Sequence, residues 1–131
     1  MSAELLRQGV VDKIAINPFV LTGLLYATKD NGYGTLIRDL SSPPEEKTYS
    51  NPVRIGTTKK PIKKTLDADT PIVYENVYFM LSDWETVVDE KLEFLYFGVS
   101  LRVEKTRPLV KFDEVFGYEY ELREVGVEYG T

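Results

Sequence analysis

The sequence predicts a mainly β fold: a small antiparallel β-barrel or sandwich with a short N-terminal helix and a long inserted loop. Three observations carry this. Short segments of alternating apolar and polar residues recur from residue 19 onward, separated by Gly, Asn, Asp and Pro turns. Only the N-terminal residues 2–16 show the wider apolar spacing of a helix. No alternation of strand and helix follows, which argues against a parallel sheet. At 131 residues the chain suits a single domain, residues 1–131, able to bury a core without staples.

In the helix, Ser2 is placed to cap and Glu4 sits in the favourable first turn. Leu6, Val10 and Ile14 recur at i, i+4 and i+8, with Leu5 and Val11 beside them, and form one apolar stripe. Gly9 weakens the helix by about 0.5–1 kcal/mol relative to alanine, so it depends on docking. Asn17 and Pro18 end it, because the residue before proline is pushed out of the helical region. Residues 19–28 then read as a strand with Gly23 as a bulge candidate, and residues 29–34 as a turn around Asn31 and Gly32. Residues 35–40 return as a second strand.

Residues 41–71 break the pattern and read as an extended Pro/Lys-rich loop. Beyond them, residues 72–81 form a strand with Val77, Phe79 and Leu81 on one face and Tyr74 and Tyr78 on the other. Ser82, Asp83, Trp84 and Glu85 have the form of a capping box, fitting either a helical turn or a wide turn between strands. Residues 92–97 and 99–105 are the next strands. In the second, Val99, Leu101 and Val103 alternate with Ser100, Arg102 and Glu104, one face for the core and one for water. The last strand, 117–125, alternates Tyr118, Tyr120 and Leu122 with Glu119, Glu121 and Arg123.

Composition narrows the chemistry. The chain has no cysteine and no histidine, so thiol nucleophiles, disulfides, imidazole bases and the commoner zinc sites drop out. No apolar run reaches membrane-spanning length and the first residues lack a signal-peptide layout, so a soluble, cytoplasmically made protein without membrane contact is expected. Asp67, Asp69, Asp83, Asp89 and Glu90 sit in no recognisable catalytic or metal-binding motif, and Gly32 and Gly34 belong to a hairpin turn rather than a phosphate loop. Neither an enzyme nor a bound cofactor or metal is expected.

Charge is the remaining signal. Residues 1–64 hold ten Lys and Arg against six Asp and Glu, whereas residues 65–131 hold six against fifteen. Such polarity suits head-to-tail contact between copies, or different partners on two surfaces. The basic excess concentrates in Arg54, Lys59, Lys60, Lys63 and Lys64, a handle for phosphates or for an acidic protein surface that Pro61 keeps extended. The nine tyrosines suit half-buried or interface positions. On the last strand glutamates rather than basic residues alternate with Tyr118 and Tyr120, so these tyrosines belong to the core or to a subunit interface, and Tyr118, Tyr120 and Arg123 are the candidates for subunit contact.

Three blocks of sequence add a resemblance. The first is Ile14, Ala15, Ile16, Asn17 and Pro18 after a short helix, leading into the strand 19–28 and the turn 30–34. The second is the long central insertion ending in a strand near Ile72. The third runs from Phe97 to Val103 and on through residues 110–125. In order and spacing they resemble the head-closure (stopper) proteins of the head–tail connector in long-tailed bacteriophages. The resemblance implies a non-enzymatic β-barrel that forms a sixfold ring in the virion neck, below the portal and adaptor and above the tail. It also implies that the loop matching residues 41–64 projects toward the channel and helps retain packaged double-stranded DNA. This chain departs from simpler relatives in the added stretch 65–71, which leaves the loop tip open between the lysine run and Pro43, Pro44, Glu45 and Glu46. The alternatives are a neighbouring adaptor or tail-completion ring, and a free-standing β-barrel that binds nucleic acid or oligosaccharide through its basic loop.

Overall fold

The architecture was obtained as a computed structural model and is described for residues 3–30, 32–34, 36–61 and 74–125. A helix, α1 (Ala3–Ile16), precedes nine strands: β1 (Thr22–Leu25), β2 (Thr28–Asp30), β3 (Leu36–Arg38), β4 (Glu45–Thr48), β5 (Arg54–Pro61), β6 (Tyr74–Asp83), β7 (Glu93–Tyr96), β8 (Val99–Lys111) and β9 (Glu114–Glu124). Seven of them form one sheet in the order β4-β1-β7-β8-β9-β6-β5, antiparallel throughout, and β2 and β3 make a separate hairpin.

The two ends of that order are consecutive in the chain. β4 runs antiparallel to β1, Tyr49 N–H continues the ladder to Leu21 O at 3.1 Å, and Phe19 and Val53 exchange both backbone hydrogen bonds at 2.7 and 2.9 Å. β4 and β5 are therefore one bent path that pairs first with β1 and then with β6, closing the sheet into a barrel. Closure removes most free edges of a small sheet.

The barrel interior holds Leu21, Val53, Ile55, Tyr78, Met80, Val88, Leu92, Phe94, Leu101, Val103, Tyr120 and Leu122. Leu21, Leu92, Leu101 and Val103 are wholly buried, each contributing about 1.5–3 kcal/mol of apolar transfer. On β6 the inward face is Tyr78, Met80 and Ser82, leaving Phe79 half exposed outside. Inside, the Tyr120 hydroxyl accepts from Val88 N–H at 2.9 Å and lies 2.8 Å from Ser82 Oγ, pinning the loop after β6.

α1 packs on the outside of β5, β6 and β9 through Ala3, Val10 and Ile14, with Leu6 half buried; Leu5 and Val11 face solvent. Arg7 fixes the N-terminal half, donating from Nε to Val115 O at 3.0 Å and stacking 3.9 Å over the Trp84 ring. Ser2, expected to cap this helix, lies outside the described residues. β2–β3 is clamped by Arg38, which forks onto the buried Glu93 carboxylate and covers the Tyr26 ring at 4.5 Å. Its turn is built by Asp30 Oδ1, which accepts from Gly32 N at 2.8 Å, with Gly32 and Gly34 at positive φ.

Several expectations need correction. Residues 41–71 are not one extended loop: β4 and β5 lie within them, formed by long-range pairing with β1 and β6 rather than by any marked local alternation. Gly23 is not a bulge; it pairs regularly with Lys47, and glycine is needed because a Cβ there would stand 2.6 Å from Glu93 O. The irregularities fall in the β8–β9 pairing instead, between Val103 and Lys105 and between Leu109 and Val110. After Asp83 the chain makes a wide turn rather than a helical one.

Candidate interaction surfaces

The basic residues do not form one handle. Arg54, at the start of β5, is half buried and donates to Lys13 O at 3.2 Å, serving a carbonyl in the last turn of α1. It is part of the helix's mooring. Lys59 and Lys60 sit on β5 opposite Asn76 and Glu75, both exposed. Beyond Tyr78, the last β6 residue paired with β9, four pairs from Thr58↔Val77 to Pro61↔Tyr74 continue as a two-stranded ribbon, with no third strand among the described residues. Lys63 and Lys64 lie outside the described residues, as do Asp67 and Asp69.

The proposed tyrosine contacts resolve differently. Tyr120 is 2 % exposed inside the barrel and cannot present its ring to another copy; burial holds its phenol above the usual range. Tyr118 is half buried against the same core. Their alternation with Glu119 and Glu121 marked the inner face of a barrel strand, and packing took both rings. Arg123 alone of the three is exposed, opposite Arg102 on β8. Glu104 lies between these cations: Arg102 Nε donates to it at 2.8 Å and Lys91 Nζ is 3.7 Å away. Partial burial pushes the Glu104 carboxyl up, but the hydrogen bond and charge of Arg102, with Lys91 and Arg123, outweigh it and hold the group below the usual range.

Two features escaped the sequence reading. Both tight turns flanking β8 carry an exposed phenylalanine at positive φ: Phe97 (φ 46°, 86 % exposed) before Gly98, and Phe112 (φ 56°) before Asp113. Asn-Gly is the usual solution for such two-residue hairpins. Phe97 also extends an aromatic row, with ring centroids 4.8 Å from Tyr96 and 6.4 Å from Phe19. The second feature is an open groove of about 700 Å³ on the outer face of β6 and β9. Its walls include Val77, Phe79 and Leu81, with Lys13, Arg54, Lys105 and Arg107 and two glutamates around them. The sequence signal for the first was a two-residue break between strand-like runs, Phe97 with Gly98 and Phe112 with Asp113. The second needed the sheet order.

Among the loop acids, Asp83 is buried and caps Glu85 N at 2.8 Å, and Asp89 takes Tyr49's hydroxyl and Lys47 Nζ at 3.3 Å. Among the described residues no three acidic side chains converge as a metal site. No described helix is long and apolar enough to cross a membrane. Compared with known proteins, the chain matches no family model and no curated relative.

Proposed function

We propose that the chain is a non-enzymatic structural subunit of a bacteriophage neck, forming a ring that joins the portal and adaptor to the tail and helps retain packaged DNA. The observation that supports this most directly is the β5–β6 ribbon, which leaves the barrel wall as two strands and carries Lys59 and Lys60 on its exposed stretch. The ribbon is rooted in the barrel where β6 also pairs with β9. Repeated around a ring, it presents the same charges once per copy, to a polyanion at the axis or to an acidic edge of a neighbouring subunit. The exposed apolar side chains of Ile16, Val20, Leu95 and Phe97 also fit a subunit whose surface is covered on assembly.

The reading has a direct test. Virions of a phage encoding this chain should contain it in the neck, and replacing Lys59, Lys60, Lys63 and Lys64 by alanine should leave the barrel folded while particles lose DNA or fail to join tails. Virions lacking the chain would contradict the proposal. So would a purified monomer that binds double-stranded DNA tightly with a steep salt dependence, the behaviour of a free-standing nucleic-acid module.

A further inference from the structure

The barrel leaves two strands with an open edge, and their charges are opposite. Among the described residues β4 pairs only with β1, and β5 pairs only with β6 apart from the single bridge at Val53. Val53 turns its N–H and C=O toward Phe19. Strand alternation therefore sends those of Ile55, Thr57 and Lys59 to the same side; Ile55 is covered, and Thr57 and Lys59 are exposed there. Tyr49 N–H points at Leu21 O, so the backbone groups of Glu46 and Thr48 point away from β1. Each edge is a row of donors and acceptors awaiting a strand.

The exposed side chains decide which strand. β4 opens with Glu45 and Glu46, and β5 ends with Lys59 and Lys60, all exposed. Neighbouring residues on a strand project to opposite faces, so each edge shows one charge on either face. Pairing β4 with β4, or β5 with β5, sets like charges opposite one another. Pairing β4 with β5 matches both faces at once. Lys47, the cation within β4, is engaged by Asp89 at 3.3 Å and is the weaker neighbour of Glu45 at 3.8 Å. No described carboxylate forms an ion pair with Lys59 or Lys60. Pro44 before β4 and Pro61 at the end of β5 lack an N–H and limit the paired stretch.

We propose that β4 of one copy adds to the open edge of β5 of the next, a head-to-tail contact that repeats around a ring. This rests on the reading of the chain as a ring subunit, and it assigns the basic strand to a protein edge rather than to DNA. A duplex would meet only one of the two lysines, and its phosphates offer acceptors alone, leaving the edge carbonyls of β5 without donors. The contact joins two different edges, so it is heterologous and closes only as a ring. Its ladder is short, so association depends on concentration.

Charge reversal tests this with the protein alone. Sedimentation equilibrium of the wild-type chain up to millimolar concentration should show self-association that weakens with salt. Lys59→Glu with Lys60→Glu, and Glu45→Lys with Glu46→Lys, should each weaken it at least about tenfold, because facing charges become alike. An equimolar mixture of the two variants should regain association, since each then supplies the edge the other needs. Circular dichroism and thermal melting should be unchanged, as all four side chains are exposed. A wild-type chain monomeric throughout, or association undiminished by either reversal, overturns the proposal. Rings that persist in both variants reject this contact while leaving the ring reading intact. Loss of DNA binding without loss of association would instead assign β5 to nucleic acid.

Discussion

Single residues carry more of this barrel than their number suggests. The Tyr120 hydroxyl serves Val88 N–H and Ser82 Oγ in the interior. Tyr120→Phe should cost about 1–3 kcal/mol in urea unfolding, since a buried donor loses its acceptor. Gly23→Ala drives a methyl group toward Glu93 O, and destabilisation of about 1–3 kcal/mol should follow, visible as a lower melting temperature. Burial, joined at Tyr49 by the Asp89 carboxylate, raises the phenols of Tyr49 and Tyr120. The folded state thus favours their protonated forms. Stability from this source is complete below the unfolded phenol value of about 10 and declines as pH rises above it. Glu104 acts oppositely: its depressed carboxyl contributes above the ordinary glutamate range and the contribution is lost on acidification. Glu104→Gln should flatten the acid limb of a stability–pH curve and leave the alkaline limb unchanged.

At the scale of elements, what was legible in the sequence followed local periodicity. The helix ended where Pro18 required, and Leu101 and Val103 proved wholly buried, as their alternation indicated. Strands inside residues 41–71 were missed because prolines and lysines mask alternation, and because pairing with β1 and β6 is a long-range event. The site suffered for the same reason. Arg54 and Lys59 are five residues apart in a segment without acidic residues, yet one moors a helix and the other stands on a ribbon. Tyr118 and Tyr120 matched the tyrosine pattern of an interface, but closure turned that face inward. The turn at Phe112 and Asp113 offers an element-level test. Both residues hold positive φ, an uncommon state for a bulky side chain. Phe112→Asn with Asp113→Gly should stabilise the hairpin by about 0.5–1 kcal/mol, read from the chemical-denaturation midpoint.

For the whole molecule, an antiparallel barrel closed by Phe19 and Val53 leaves, among the described residues, a basic ribbon, two aromatic turns, two charged edges and the groove on the outer face of β6 and β9. In the proposed ring they would connect the acidic–basic asymmetry of the sequence to an assembly with direction. The ring is the central claim. Electron microscopy of the purified chain at high concentration, and of the chain bound to portal assemblies, tests it most directly. The account predicts closed rings of uniform copy number in which the β5–β6 ribbon of each copy meets the β4 edge of the next. Monomers alone, or open filaments in both preparations, would contradict it.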